Sequence, residues 1–234
     1  MFNTLHLGRN DNLAPHVQLD DWDAGQKTVA WLYENYKQYW GDIDTSEIAF
    51  IDLTYSVNID LQKRCDAAVA KFKEYFPNND MFFTGDGIIG SVNVETGYEI
   101  TSAIMSVHPD IKYWWVMSCL EQYSQGAARV AETLGIEDRV LIVDVGSDIL
   151  VSEWDSGYNG SWKACLAISN YLYAAPAICA IVSMADGMST PETLWGSMRI
   201  PGETMSRHFT ESTMVTIDTY RSYFEDIARI AMPA

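Results

Sequence analysis

Three carboxylates and one guanidinium stand out in this sequence, because each falls just past a stretch that reads as a β-strand. Asp86 follows "MFFTG", Glu121 follows "YWWVMSCL", Asp148 follows "VLIVDVGS", and Arg64 lies one turn into the helix after "TYSVN". A carboxylate in such a loop accepts paired hydrogen bonds from ligand hydroxyls. An arginine there offers five donors to a polyol or a carboxylate. The alternatives are structural: a helix cap or loop turn for each carboxylate, and a surface position beside Asp60 or Asp66 for Arg64. Tyr55, with Trp22 and Tyr171, offers an aromatic face for a sugar ring, or packs as core or rim.

Catalytic patterns are missing. There is no G-x-S-x-G elbow, and His6, His16, His108 and His208 lie away from the strand-end loops. His108 precedes Pro109 and reads as a C-terminal helix cap. "TGDGIIG" fits neither glycine-rich phosphate pattern and carries no Lys or Arg, so it reads as a flexible loop. Cys65, Cys119, Cys165 and Cys179 form no C-x-x-C pair and no zinc pattern, and they read as buried thiols. The pairs Asp20 with Asp21 and Glu137 with Asp138 read as solvated turns. The expectation is a protein that is not an enzyme, with no metal and no cofactor.

The elements that must position these loops follow from periodicity. "DAGQKTVAWLYENYKQYW" puts Val29, Leu32, Tyr33 and Tyr36 at helical spacing, and "EIAFIDLTYS" is an almost wholly apolar run of the kind buried on both faces of a parallel sheet. Asn58 or Asp60 caps a helix over "DLQKRCDAAVAKFKEYF". The cycle then repeats, with strands at "DMFFTGDG", "IKYWWVMSC", "RVLIVDVGSD" and "SWKACLAIS". Helices are expected at "VETGYEITSAIMSV", "EQYSQGAARVAETLG" and "NYLYAAPAICAIVSMADG". Strictly alternating strands and helices predict an α/β fold, a three-layer αβα sandwich around a parallel sheet. In such sheets ligands sit outside the carboxyl ends of the strands, where the singled-out residues fall. After a turn-rich "STPETLWGSMRIPGETM", a last strand "STMVTID" and helix "TYRSYFEDIARIA" close the chain.

Composition narrows the partners. The 234 residues are 48% hydrophobic, enough for a sizeable core, and carry a formal charge of −17. That charge repels phosphate backbones and anionic lipid, so no nucleic-acid partner is expected, and its plain role is solubility. The N-terminus has no basic segment followed by an apolar one, and no run reaches membrane-span length. As written, the chain therefore reads as cytoplasmic.

"HPDIKYWWVMSCLEQYSQGAARVAETLGIEDRVLIVDVGSD" resembles the second lobe of the type 1 periplasmic binding proteins, the ribose-binding-like and lactose-repressor-like group. "PHVQLDDWDAGQKTVAWL" is similar to that family's crossover into the lobe, and "NYLYAAPAICAIVSMADGMSTPETLW" to its last large helix and return segment. The resemblance covers residues 15–195 and implies a Rossmann-like, C-terminal-lobe-like α/β domain there. Residues 1–14 and 196–234 would then be remnants of the first lobe and crossover segments, with strands at "TLHLG" and "MVTID". On this reading the chain is a truncated form, lacking most of the first lobe.

The resemblance further implies a solute-binding protein of a sugar ABC transporter, with a permease as partner, an extracellular or periplasmic location, and a homodimer covering the exposed seam. By position, Arg64 matches the family's solute-binding Arg, and Glu121 replaces the Asp of an Asn-Asp pair whose Asn is here Leu120. Asp148 lies close to the family's ligand Asp, where Gly146 or Ser147 aligns, and Asn170 or Ser169 lies near a usual Gln or Asn. The ligand-binding set expected is Tyr55, Arg64, Asp86, Glu121, Asp148 and Asn170. The alternative function is an effector-sensing or protein-interaction module derived from a lactose-repressor-like regulator.

Overall fold

The computed structural model describes residues 14–231. In chain order the main elements are β1 (His16–Gln18), α1 (Asp21–Trp40), β2 (Ile48–Thr54), α2 (Ile59–Tyr75), β3 (Phe82–Asp86), α3 (Val94–Ser106), β4 (Tyr113–Ser118) and α4 (Glu121–Leu134). They are followed by β5 (Val140–Val145), α5 (Asp148–Asp155), β6 (Trp162–Ala167), α6 (Asn170–Ala185), β7 (Arg207–Phe209), β8 (Thr213–Thr216) and α7 (Tyr220–Ala231).

The chain divides into two compact units. One comprises Asp21–Ala167 and Thr213–Phe224; the other comprises the described residues up to Asp20, Ile168–Ser212, and the described residues from Glu225. Helix α6, inside the 15–195 span that the sequence suggests for one domain, groups with the second unit. In that unit β1 pairs in parallel with the short β7, and Gln18 O accepts the Thr210 N–H at 2.8 Å.

The larger unit is a six-stranded sheet in the order β3-β2-β4-β5-β6-β8, parallel except for β8. Strand β2 is buried along its whole length, as its continuous apolar run requires. Phe50 of β2 stacks on Phe72 of α2 at 4.9 Å, and Trp115 of β4 meets Tyr36 of α1 and Phe76 just past α2. That aromatic layer seats α1 and α2 on one face of the sheet. On the other face α3 and α4 cross so closely that a Cβ at Gly126 would lie 2.3 Å from the Val94 carbonyl oxygen.

Helix caps follow the sequence in the main. Asn58, not Asp60, caps α2 by accepting the N–H groups of Asp60 and Leu61. Gly135 ends α4 at φ 65°, a left-handed position where glycine has no steric cost.

Four details differ from the sequence reading. The segment between "VGSD" and "SWKACL" folds into α5, which its eight residues are too short to announce by periodicity. The strand of "MVTID" is β8, which pairs antiparallel with β6 at the edge of the large sheet rather than belonging to another lobe; "TLHLG" lies outside the described residues. Cys65, Cys119 and Cys165 are buried free thiols, whereas Cys179 is exposed. His108 does not cap α3 with its ring, which packs against Phe83 at 4.5 Å, while its backbone N–H bonds the Met105 carbonyl.

Because the atoms a Gly126 Cβ would meet are backbone, they cannot rotate away. Gly126→Ala is expected to cost about 1–3 kcal/mol of unfolding free energy through overpacking, read as a lower urea midpoint with an unchanged m value.

Candidate functional site

The strand order reverses between β2 and β4, with β2 turning back to β3 and β4 leading on to β5. At such a switch point neighbouring loops part and leave a crevice at the carboxyl ends. Here it is spanned by an ion pair. Arg64, one turn into α2 and only 7% exposed, donates from Nε to Asp21 Oδ1 at 2.6 Å. Its Nη1 donates to the Cys119 carbonyl, just past β4, at 3.2 Å. Helix α1, which begins at Asp21, is thereby tied to the loops after β2 and β4. Burial raises the Asp21 pKa against the opposing pull of Arg64. Asp21 is thus no solvated turn. Its place at the head of a helix was the available signal, and the Arg64 guanidinium opposite it was not legible.

Asp86 ends β3 and faces the loop after β2. Its carboxylate accepts the Ser56 hydroxyl, the Ser56 N–H at 3.2 Å and the Ile88 N–H at 3.0 Å. Burial opposes ionisation, but these donors outweigh it and hold the group below its ordinary pKa. The "TGDGIIG" segment is accordingly an ordered turn rather than a flexible loop. Gly87 is needed because a Cβ there would lie 1.9 Å from the Tyr123 hydroxyl oxygen.

Glu121 does structural work. Its Oε1 accepts the N–H groups of Ile149 at 2.8 Å and Leu150 at 3.2 Å, and its Oε2 accepts that of Asp148 at 3.2 Å. Ser147 precedes α5 but makes no side-chain cap, so Glu121 caps α5 from the start of α4. Gly146, at φ 140°, makes room: a Cβ there would lie 2.6 Å from the Glu121 Cγ. Burial, first, and the nearby charge of Asp148 raise the Glu121 pKa, and the three N–H donors offset them only in part. Behind it Asp144 is wholly buried on β5, and burial followed by the Glu121 charge pushes its pKa well above the usual carboxylate range.

The other expected residues separate. Asp148 is exposed in the first turn of α5, and Tyr55 is half-buried in the loop after β2. Asn170 is exposed at the start of α6 and belongs to the other unit. Around the reversal in strand order the large unit therefore gathers Tyr55, the Arg64–Asp21 pair and Asp86, with Glu121 and Asp148 at the neighbouring ends of β4 and β5. Among the described residues no group of His, Cys, Asp or Glu is placed to hold a metal ion, and no helix is long and apolar enough to cross a membrane.

This architecture is the fold of the type 1 periplasmic binding proteins of sugar ABC transporters. The chain is similar to a glucose-galactose binding protein from Geobacillus stearothermophilus (TM-score 0.60, 16% identity, 88% of this chain and 64% of that one). It is similar to an arabinose binding protein from the same organism (TM-score 0.65, 13% identity, 88% and 64%). A third similar structure is a periplasmic ribose ABC transporter protein from Conexibacter woesei (TM-score 0.65, 15% identity, 89% and 61%). The chain spans less than two thirds of the length of each of these proteins. No protein-family model matches it, and neither does any curated protein sequence.

The cap offers a direct check. Glu121→Ala is expected to lower stability by about 1–2 kcal/mol, whereas Asp148→Ala, at an exposed position, changes it by less than about 0.5 kcal/mol, both read from urea unfolding curves.

Proposed function

We propose that the chain binds a monosaccharide at the carboxyl ends of β2, β3, β4 and β5, without catalysis, as the sugar-binding component of an ABC uptake system. The observation that carries this reading is the buried Arg64–Asp21 pair at the reversal in strand order, in a fold shared with the sugar-binding proteins named above. Only two of the five Arg64 N–H groups are used by Asp21 and Cys119. The rest are donors for sugar hydroxyls, held in place by bonds that fix the guanidinium in advance. Asp148 supplies an acceptor and Tyr55 an apolar ring face. Glu121 acts by holding the α5 terminus on which Asp148 stands, so it is a positioning residue.

The partners in this reading are the sugar, the permease of the transporter and a second copy of the chain. The location is periplasmic or extracellular. Ile178, Ile181 and Val182 of α6 are exposed apolar side chains, a surface that favours self-association. Sedimentation equilibrium is expected to return twice the 26.3 kDa chain mass; the monomer mass would remove the second copy from the reading.

Calorimetry against D-ribose, L-arabinose, D-glucose, D-galactose and D-allose tests the sugar assignment. Saturable heat is expected with at least one of them. Asp148→Ala and Tyr55→Ala are each expected to weaken it about tenfold, the scale of one lost charge-assisted bond or ring contact. Silence from all five sugars would sink the assignment.

A further inference from the structure

On the face of the sheet that carries α2, next to the edge strand β3, lies a cavity of about 350 Å³. Its walls include Asp52 and Thr54 of β2, Asp66 of α2, and Phe82, Thr84 and Asp86 of β3. The volume lies in the range of small-molecule sites. Three of these six side chains are carboxylates, and neither Lys nor Arg is among the lining residues.

Two further observations point to a ligand. Asp52 is 3% exposed and Thr54 is 6% exposed, yet Asp52 Oδ1 and Thr54 Oγ1 have no hydrogen-bond partner in the protein. A buried acceptor without a donor costs free energy on the order of 1–3 kcal/mol. Two of them, two residues apart on one strand, point to the same side of the sheet. Across the cavity Phe82 presents a ring that already attracts a cation, with the Lys73 ammonium 4.2 Å from its centroid.

We propose that this cavity binds a small organic cation bearing several N–H donors, such as an alkyl diamine. An ammonium group brings three donors and a positive charge. It satisfies Asp52 and Thr54 while relieving the crowding of three acidic groups. A neutral polyol supplies the donors but leaves the charges opposed. A metal ion needs ligands that converge on one point, and among the described residues these carboxylates form no such group. Asp86 borders both the cavity and the strand-end site, but Asp52, Thr54 and Asp66 take no part in the sugar site proposed above, so substitutions at these residues test the cavity separately.

The cation site carries a pH signature. Asp52 faces Asp66 and Cys65 of α2 and the Asp86 carboxylate of β3, with Thr84 and Met117 beside it in register. Burial, and then the Asp66 and Asp86 charges, raise its pKa to about 7, whereas the Cys65 thiol pulls it down. A cation prefers ionised Asp52, so its binding strengthens as pH rises through that value, by about tenfold between pH 6 and pH 8 if only the ionised form binds.

Calorimetry with 1,4-diaminobutane, at constant ionic strength set with NaCl, tests the proposal. Saturable one-to-one binding is expected at pH 8, weaker by about tenfold at pH 6. Asp66→Asn, an exposed substitution that leaves the core intact, is expected to weaken binding at least about fivefold. Asp52→Asn should weaken it further and remove the pH dependence, with sugar binding unchanged in both variants. The proposal is overturned by the absence of saturable diamine binding, by equal affinity in the wild-type chain and Asp66→Asn, or by calcium binding as tightly as the diamine with the same dependence on both residues.

Discussion

Buried charge at the carboxyl ends of the strands is the constraint on which the rest of this structure depends. An ionised group out of water must be paired, hydrogen-bonded or neutralised, and the large unit uses all three solutions within a few residues of one another. Arg64 pairs with Asp21, Glu121 takes three backbone N–H groups, and the pKa of Asp144 is pushed up towards its neutral form. Each solution joins elements that the sheet alone would leave separate. Asp21 fastens α1 to α2, and Cys119 fastens both to β4. Glu121 fastens α4 to α5. The strand-end loops are therefore held by side chains of the kind a ligand would otherwise meet.

That economy explains which parts of the molecule could be read from sequence. The alternation of apolar runs with amphipathic helices is a property of neighbours in the chain, and it located β2 through β6, α1 through α4 and α6 closely. Helix α5 escaped because its cap comes from Glu121, 27 residues before Asp148, whereas the local residue Ser147 makes no side-chain cap. Strand β8 was recognised as a strand but not as part of this sheet, since pairing across the gap from β6 leaves no local mark. The site was legible to the same degree. Position beyond a strand end marked Arg64, Asp86 and Glu121 correctly as strand-end residues, yet it could not tell a side chain facing a ligand from one facing a neighbouring helix.

Glycines make the same point from the other side. Gly146 aligns where an acidic ligand residue was anticipated, and the structure gives it a packing reason, because any side chain there would strike Glu121. Cap and glycine are one device: the carboxylate reaches the α5 N–H groups only across a backbone without a Cβ. Gly87 stands in the same relation to the Tyr123 hydroxyl. Two features that separately resemble parts of a binding loop are thus the halves of a joint.

The joint also sets what a sugar could meet at this face. With Glu121 committed to α5 and Asp86 to the loop after β2, hydrogen-bonding capacity remains in the unused N–H groups of the largely buried Arg64 guanidinium and in the exposed Asp148. A donor fork and an acceptor, one on each side of the reversal in strand order, suit a molecule whose neighbouring hydroxyls both give and take hydrogen bonds. They suit a simple anion less well, since the exposed Asp148 carboxylate would repel one. The acidic face thus favours a neutral ligand over an anion at the strand ends, while the unpaired acceptors along β2 favour a positive one.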